Sequence, residues 1–262
     1  DMEKIDQILS NLYLKLDIVV NFLKKITSIE LMTKLNDLSK KVHATLIISS
    51  VALTFIFFLR YYFSGYDPFL AYAITAPFGI IILAYLSKDF HKACSNLISS
   101  NKTTLSNGAI LTFNAILSLI AFFLLVLAGV AQLLSGEAIT AFTFLLYALL
   151  LYMSAGTQFN PSLLNIEVTD NSSSGEDFVT IFSTYLKSFV YFEKIISAAL
   201  ILVGALTLLT TIFDSSKVFN MTWAFGLITS GVAFPILVYL TFTILWFFNS
   251  IILSILSIGK SR

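Results

Sequence analysis

The sequence predicts an all-α, polytopic membrane protein: about six transmembrane spans arranged as three helical hairpins, preceded by an amphipathic, coiled-coil-like helical arm. Three observations predict it. Hydrophobic residues make up 57% of the chain and charged residues only 12%, a balance that no water-soluble fold of 262 residues could hide in its interior. Six apolar runs approach the roughly 20 residues needed to cross a hydrocarbon core about 30 Å thick. Short polar connectors join these runs in pairs.

The arm spans residues 1–42. Ile5, Leu9, Leu12, Leu16, Val19, Leu23 and Ile26 follow one another at alternating spacings of four and three, the a/d seam of a heptad repeat. Such a seam wants a partner helix, from another membrane subunit or a second copy of the chain. The further apolar residues Leu14, Ile18 and Phe22, with the abundant lysines, fit a helix lying on the bilayer surface equally well. At Thr27 to Glu30 the sequence TSIE has the pattern of a capping box, which predicts a second helix running through Lys40 and Lys41 into the membrane. The opening residues lack a signal-peptide pattern, and a start at Asp1 suggests a trimmed N-terminus.

The transmembrane domain is expected over 43–259, with spans near 43–63, 68–86, 109–134, 138–155 and 195–213 and a long stretch from Met221. Asp67–Pro68, Ser135–Glu137 and Asn220 supply the residue types that start helices. Glu137 is the only acid between Asp89 and Glu167, and its place in a turn predicts a cap at the membrane surface rather than a buried ion site. The last stretch exceeds one crossing. Gly231 and Pro235 predict a single kinked span with an apolar tail, in preference to two short passes, with Trp246 and Asn249 at the interface.

Basic residues test this threading independently, because short cytoplasmic segments retain Lys and Arg. Six spans place all of the 16 except Arg60 and Lys217 on one side. Both termini, including the basic tail 260–262, are therefore expected on the cytoplasmic or equivalent inner side. The 156–194 connector lies there too. It combines a polar loop with a helix bearing an aromatic stripe of Phe178, Phe182, Tyr185, Phe189 and Phe192, opened by Ser174 and Asp177 as another cap.

Composition and motifs narrow the chemistry. A net charge of +1 argues against nucleic acid as a partner. A single cysteine, Cys94, allows no disulfide framework. The one constellation with ligand character is His43, His91 and Cys94, all near the inner ends of the first two spans; the plainer reading is two interfacial histidines and a buried thiol, with no metal or cofactor. No nucleophile elbow, zinc-protease motif or phosphate-binding loop is present, so no catalytic residue is expected. Asn114, Gln132, Tyr147 and Pro235 could line a polar path, although such residues more often make interhelical hydrogen bonds or permit kinks. The expectation is a non-catalytic membrane subunit or scaffold, held in the lipid bilayer and joined to other subunits or to itself through the arm. The alternative is a small channel or transporter for a neutral or lipid-like solute.

Overall fold

The computed structural model describes residues 2–65, 69–169, 174–213 and 221–260. Along the chain run α1 (Met2–Ile26), α2 (Ile29–Phe63), α3 (Phe69–Ser100), β1 (Thr103–Leu105), α4 (Ala109–Leu134), α5 (Ala138–Phe159), a 3-10 turn (Pro161–Leu164), β2 (Ile166–Val168), α6 (Ser174–Tyr191), α7 (Glu193–Phe213) and α8 (Met221–Lys260). Among the described residues, six stretches are long and apolar enough to cross a bilayer: Leu14–Phe63, Leu70–Ser100, Ala109–Leu134, Thr140–Phe159, Glu193–Phe213 and Met221–Ile255. The protein is a multi-span helical membrane protein. Its outward side chains agree, since Phe113, Leu124 and Leu127 on α4 and Ile244, Phe247 and Phe248 on α8 are exposed. Facing water such surface would drive association, whereas facing lipid it carries no such penalty.

The chain divides into two compact units, Asp1–Lys34 with Gly108–Leu163, and Leu35–Asn107 with Leu164–Arg262. In the first, α4 and α5 form a close antiparallel hairpin. Gly129 makes the approach possible, because a Cβ there would stand 3.2 Å from Leu145 and 3.3 Å from the Ala141 carbonyl. The turn corrects one expectation. Gly136 is left-handed at φ +84°, its N–H reaches the Leu133 carbonyl and the Glu137 N–H reaches the Gln132 carbonyl at 2.9 Å, which closes α4 in a Schellman arrangement. Glu137 occupies the N-cap position of α5, but its side chain makes no capping bond.

The break between α1 and α2 is held by α5. Tyr152 donates its hydroxyl to the Ile26 carbonyl, and Asn160 donates to the Thr27 carbonyl at 2.7 Å. Leu23 packs on Ala115, Leu119 and Ala155, and Met32 lies over Gly156. The cap differs from the expected box by one residue. Ser28 Oγ accepts the Leu31 N–H at 3.5 Å, Thr27 turns back to the Leu23 carbonyl, and Glu30 pairs with Lys34 at 2.6 Å.

In the second unit, a core of large side chains joins four helices: Phe57, Phe58 and Tyr61 of α2, Ala73 and Ile80 of α3, Ile201 and Leu208 of α7, and Ile228 and Val232 of α8. Phe58 stacks on Phe225 with ring centres 5.1 Å apart. Helices α7 and α8 touch backbone to backbone, where a Cβ on Gly204 would meet the Ala224 carbonyl at 2.8 Å. The last stretch is one continuous helix of 40 residues, about 60 Å long, with Pro235 inside it. Helix α3 also runs 14 residues past its expected end, since Lys88, Asp89 and Lys92 stop the apolar run without breaking the helix.

A second apolar cluster, Cys94, Val190, Val238 and Phe242, joins the C-terminal parts of α3 and α6 to the middle of α8. Beside it β1 and β2 form a three-residue parallel pair that the sequence did not announce. Helix α6 fastens to this pair. Thr180 donates to the Thr104 carbonyl at 2.6 Å, and Asp177 accepts the Ser106 N–H at 2.7 Å. Lys187 is fully buried; its ammonium donates to the Asn101 carbonyl, to Thr103 Oγ1 at 3.0 Å and to the Asn165 carbonyl at 3.3 Å, and sits 5.5 Å over the Trp246 ring. Burial pushes its pKa down to about 8. Asn249, expected at an interface, is buried and donates to Ser183 Oγ at 2.6 Å.

Candidate functional site

Pro235 creates the site. Proline has no backbone N–H, so the carbonyl four residues earlier, Gly231, loses its helical donor. In a membrane layer that loss must be made good by a side chain. Ser197 of α7 does so, its hydroxyl donating to the Gly231 carbonyl at 2.5 Å. Two donors from α3 follow along the same stretch of α8: Ser87 Oγ to the Val232 carbonyl at 2.5 Å, and the Cys94 thiol to the Pro235 carbonyl at 3.7 Å. Ser87 and Cys94 are seven residues apart, which brings them to one face of α3.

Ser197 also lies 2.7 Å from His43 Nε2. A carbonyl can only accept, so the single hydroxyl hydrogen of Ser197 goes to Gly231 and His43 Nε2 carries the hydrogen that Ser197 accepts. The His43 ring meets His91 edge to face, with centres 4.7 Å apart. His91 Nδ1 lies 2.7 Å from Glu193 Oε1, and Lys194 Nζ stands 4.0 Å from the same oxygen. The Glu193 side chain is 2% exposed and that of His91 17%. Two buried polar atoms of this pair make no hydrogen bond, His91 Nε2 and Glu193 Oε2. One buried carboxylate, two imidazoles and a hydroxyl thus form a connected polar group around the α8 proline.

Of the three ligand candidates, His43 and His91 come together, while the Cys94 thiol turns to Pro235. Among the described residues no three His, Cys, Asp or Glu side chains gather into a metal-ligand set. Pro235 lies one turn after Gly231 on α8, and its carbonyl accepts the Cys94 thiol. Asn114, Gln132 and Tyr147 belong to the first unit: Asn114 is half-buried on α4, the Gln132 carbonyl accepts the Ser135 hydroxyl at 2.9 Å, and Tyr147 faces outward from α5. On α1, Leu23 and Ile26 are half-buried, whereas Leu16 and Val19 are 50% and 51% exposed. The side chains of Ile5, Leu9 and Leu12 lie outside the described residues, as do Asp67, Pro68, Lys217 and Asn220.

Sequence reasoning missed Glu193 and Ser197. The available signal was an acid opening an apolar run, with a serine four residues on, on the same helical face. It also missed Ser50 and Thr54, which are fully buried on the His43 face of α2 with unpaired hydroxyls. Comparison with protein-family models, with curated proteins and with solved structures finds no match.

Proposed function

We propose that this chain is a non-catalytic integral membrane subunit that scaffolds a larger membrane assembly through α1. One observation carries the reading. The C-terminal end of α1 is fixed by Leu23, by Tyr152 and by the bonds around Thr27, yet the seam residues Leu16 and Val19 stand half-exposed. A rigidly anchored helix with an uncovered apolar seam is pre-organised to receive another helix, and covering a leucine or valine is worth about 1.5–3 kcal/mol when complete. The reading as a non-enzyme draws support from Ser197. Its hydroxyl hydrogen goes to Gly231, whereas a nucleophile would donate it to His43.

The test is extraction of the full chain from its native membrane in mild detergent, beside a Leu16→Glu/Val19→Glu variant. Stable co-purification of another subunit, lost in the variant while the chain stays monodisperse, is the expected result. A wild-type chain that emerges without partner subunits overturns the reading.

A second reading, a small channel or transporter for a neutral or lipid-like solute, is favoured by the buried, unpaired hydroxyls of Ser50 and Thr54. They lie between His43 and Tyr61 on one face of α2, where polar groups on a path would stand. Solute flux through reconstituted wild type, abolished by Ser50→Ala/Thr54→Val, would establish it in place of the scaffold.

A further inference from the structure

We propose that His91 and Glu193 form a proton-binding site at the α8 proline, with His91 Nε2 as the atom that takes the proton. This inference stands apart from the scaffold reading and rests on the valence of the buried polar group. His43 Nε2 already carries a hydrogen, committed to Ser197, which is committed to Gly231. His91 donates its Nδ1 hydrogen to Glu193 Oε1, the only arrangement in which that close contact is a hydrogen bond to a carboxylate. Its Nε2 lone pair is then buried and unused, and so is Glu193 Oε2. A proton added at Nε2 converts His91 to an imidazolium already in contact with a carboxylate, and the charge of the group rises by one. His91 is the partly exposed member, so the proton enters through it, while Glu193 stays sealed.

The surroundings select His91 rather than His43. From α7 the group faces the Glu193 carboxylate and the Lys194 ammonium, which hold opposite charges 4.0 Å apart. Helix α2 presents His43 and, farther out, the exposed Asp37–Lys40 pair at 2.7 Å. The Cys94 thiol of α3 is directed at the Pro235 carbonyl, and α8 offers backbone carbonyls there. Tyr191 at the end of α6 remains a neutral phenol, since burial and then the Asp37 carboxylate both hold its proton. The one carboxylate in hydrogen-bond contact with a histidine of the group is therefore Glu193, and it touches His91.

The chain has two histidines, which makes the test direct. The full chain, labelled with 15N-histidine and held in detergent micelles, is titrated from pH 8 to pH 4.5 while the ring nitrogens are followed by NMR. One ring is expected to change from neutral to imidazolium while the other keeps the neutral form with hydrogen on Nε2. His91→Gln should remove the titrating ring, and Glu193→Gln should move its midpoint. Both rings titrating together, neither titrating, or a midpoint that Glu193→Gln leaves in place overturns the proposal. The number of titrating rings is read from wild type alone, so the first two of these outcomes overturn the proposal even where a variant does not fold.

Discussion

Replacing Lys187 with methionine should change how the stability of the second unit depends on pH. The ammonium is fully buried, and burial lowers its pKa from 10.5 to about 8. At about 1.4 kcal/mol per pH unit, that difference corresponds to a cost of about 3 kcal/mol for carrying the charge in the folded state at neutral pH. The sign follows from proton counting. Between pH 8 and 10.5 the unfolded chain keeps this proton and the folded chain releases it, so the unfolded state binds more protons and stability rises with pH. Below pH 8 both states are protonated and the contribution is level. Wild type should therefore gain about 2 kcal/mol from this group between pH 8 and 10, and Lys187→Met should gain none of it. Other lysines titrate in both proteins and cancel in the comparison. For a chain of this size the gap in Tm between wild type and variant should widen by several degrees, at about 2–4 °C per kcal/mol. Thermal unfolding in detergent, followed by circular dichroism at pH 7, 8, 9 and 10, measures it. Parallel Tm profiles for the two proteins would refute the reasoning.

Two further pairs of substitutions probe the close contacts. Ser197→Ala removes the donor to the carbonyl that Pro235 frees, which should cost about 1–3 kcal/mol, and Pro235→Ala should recover part of it by restoring the helical N–H. A double-mutant cycle on Tm with no coupling between the two positions would sever that link. Gly156→Ala should be destabilising by about 1–3 kcal/mol, because its Cβ would fall 2.2 Å from Met32 Sδ, and Met32→Ala should relieve it. Equal losses in the single and double variants, read from the urea midpoint, would show that Met32 is not the obstacle.

Much of the fold was legible because lipid imposes a one-dimensional rule: a run of apolar residues of sufficient length is a span. The α4–α5 turn was legible for the same reason, since Ser135, Gly136 and Glu137 interrupt the largely apolar sequence between Leu111 and Ala155. Finer features were decided by competing local bonds. Glu137 looks like a cap from its neighbours, but Gly136 lets backbone groups close α4 first. Asp177 looks like a purely local cap, yet its carboxylate also holds Ser106, 71 residues away. The candidate site was half legible. His43 and His91 flank the first two apolar runs of the sequence, which marks them out, whereas their partners depend on α7 packing beside α8 closely enough for Ser197 to reach Gly231. That approach is permitted by the glycine itself, where a Cβ would meet the Ser197 carbonyl at 2.9 Å. Nothing local in the sequence encodes such a fit. The β1–β2 pair escaped notice because three-residue strands carry no periodicity.

That small parallel pair also sets an order of assembly. Its strands are synthesised roughly sixty residues apart, with the α4–α5 hairpin between them. Parallel pairing cannot begin until the whole excursion has left the ribosome, and the entropy of closing so long a loop weighs against early pairing. Lys187 and Asp177 come later still, and it is they that fasten α6 to the closed strands. The strand pair with α6 is thus a late lock in the second unit, closed only after the first five helices have been synthesised. A nascent chain halted before α6 would leave this knot untied, and the residues on either side of the hairpin would be open to protease while its spans were already inserted.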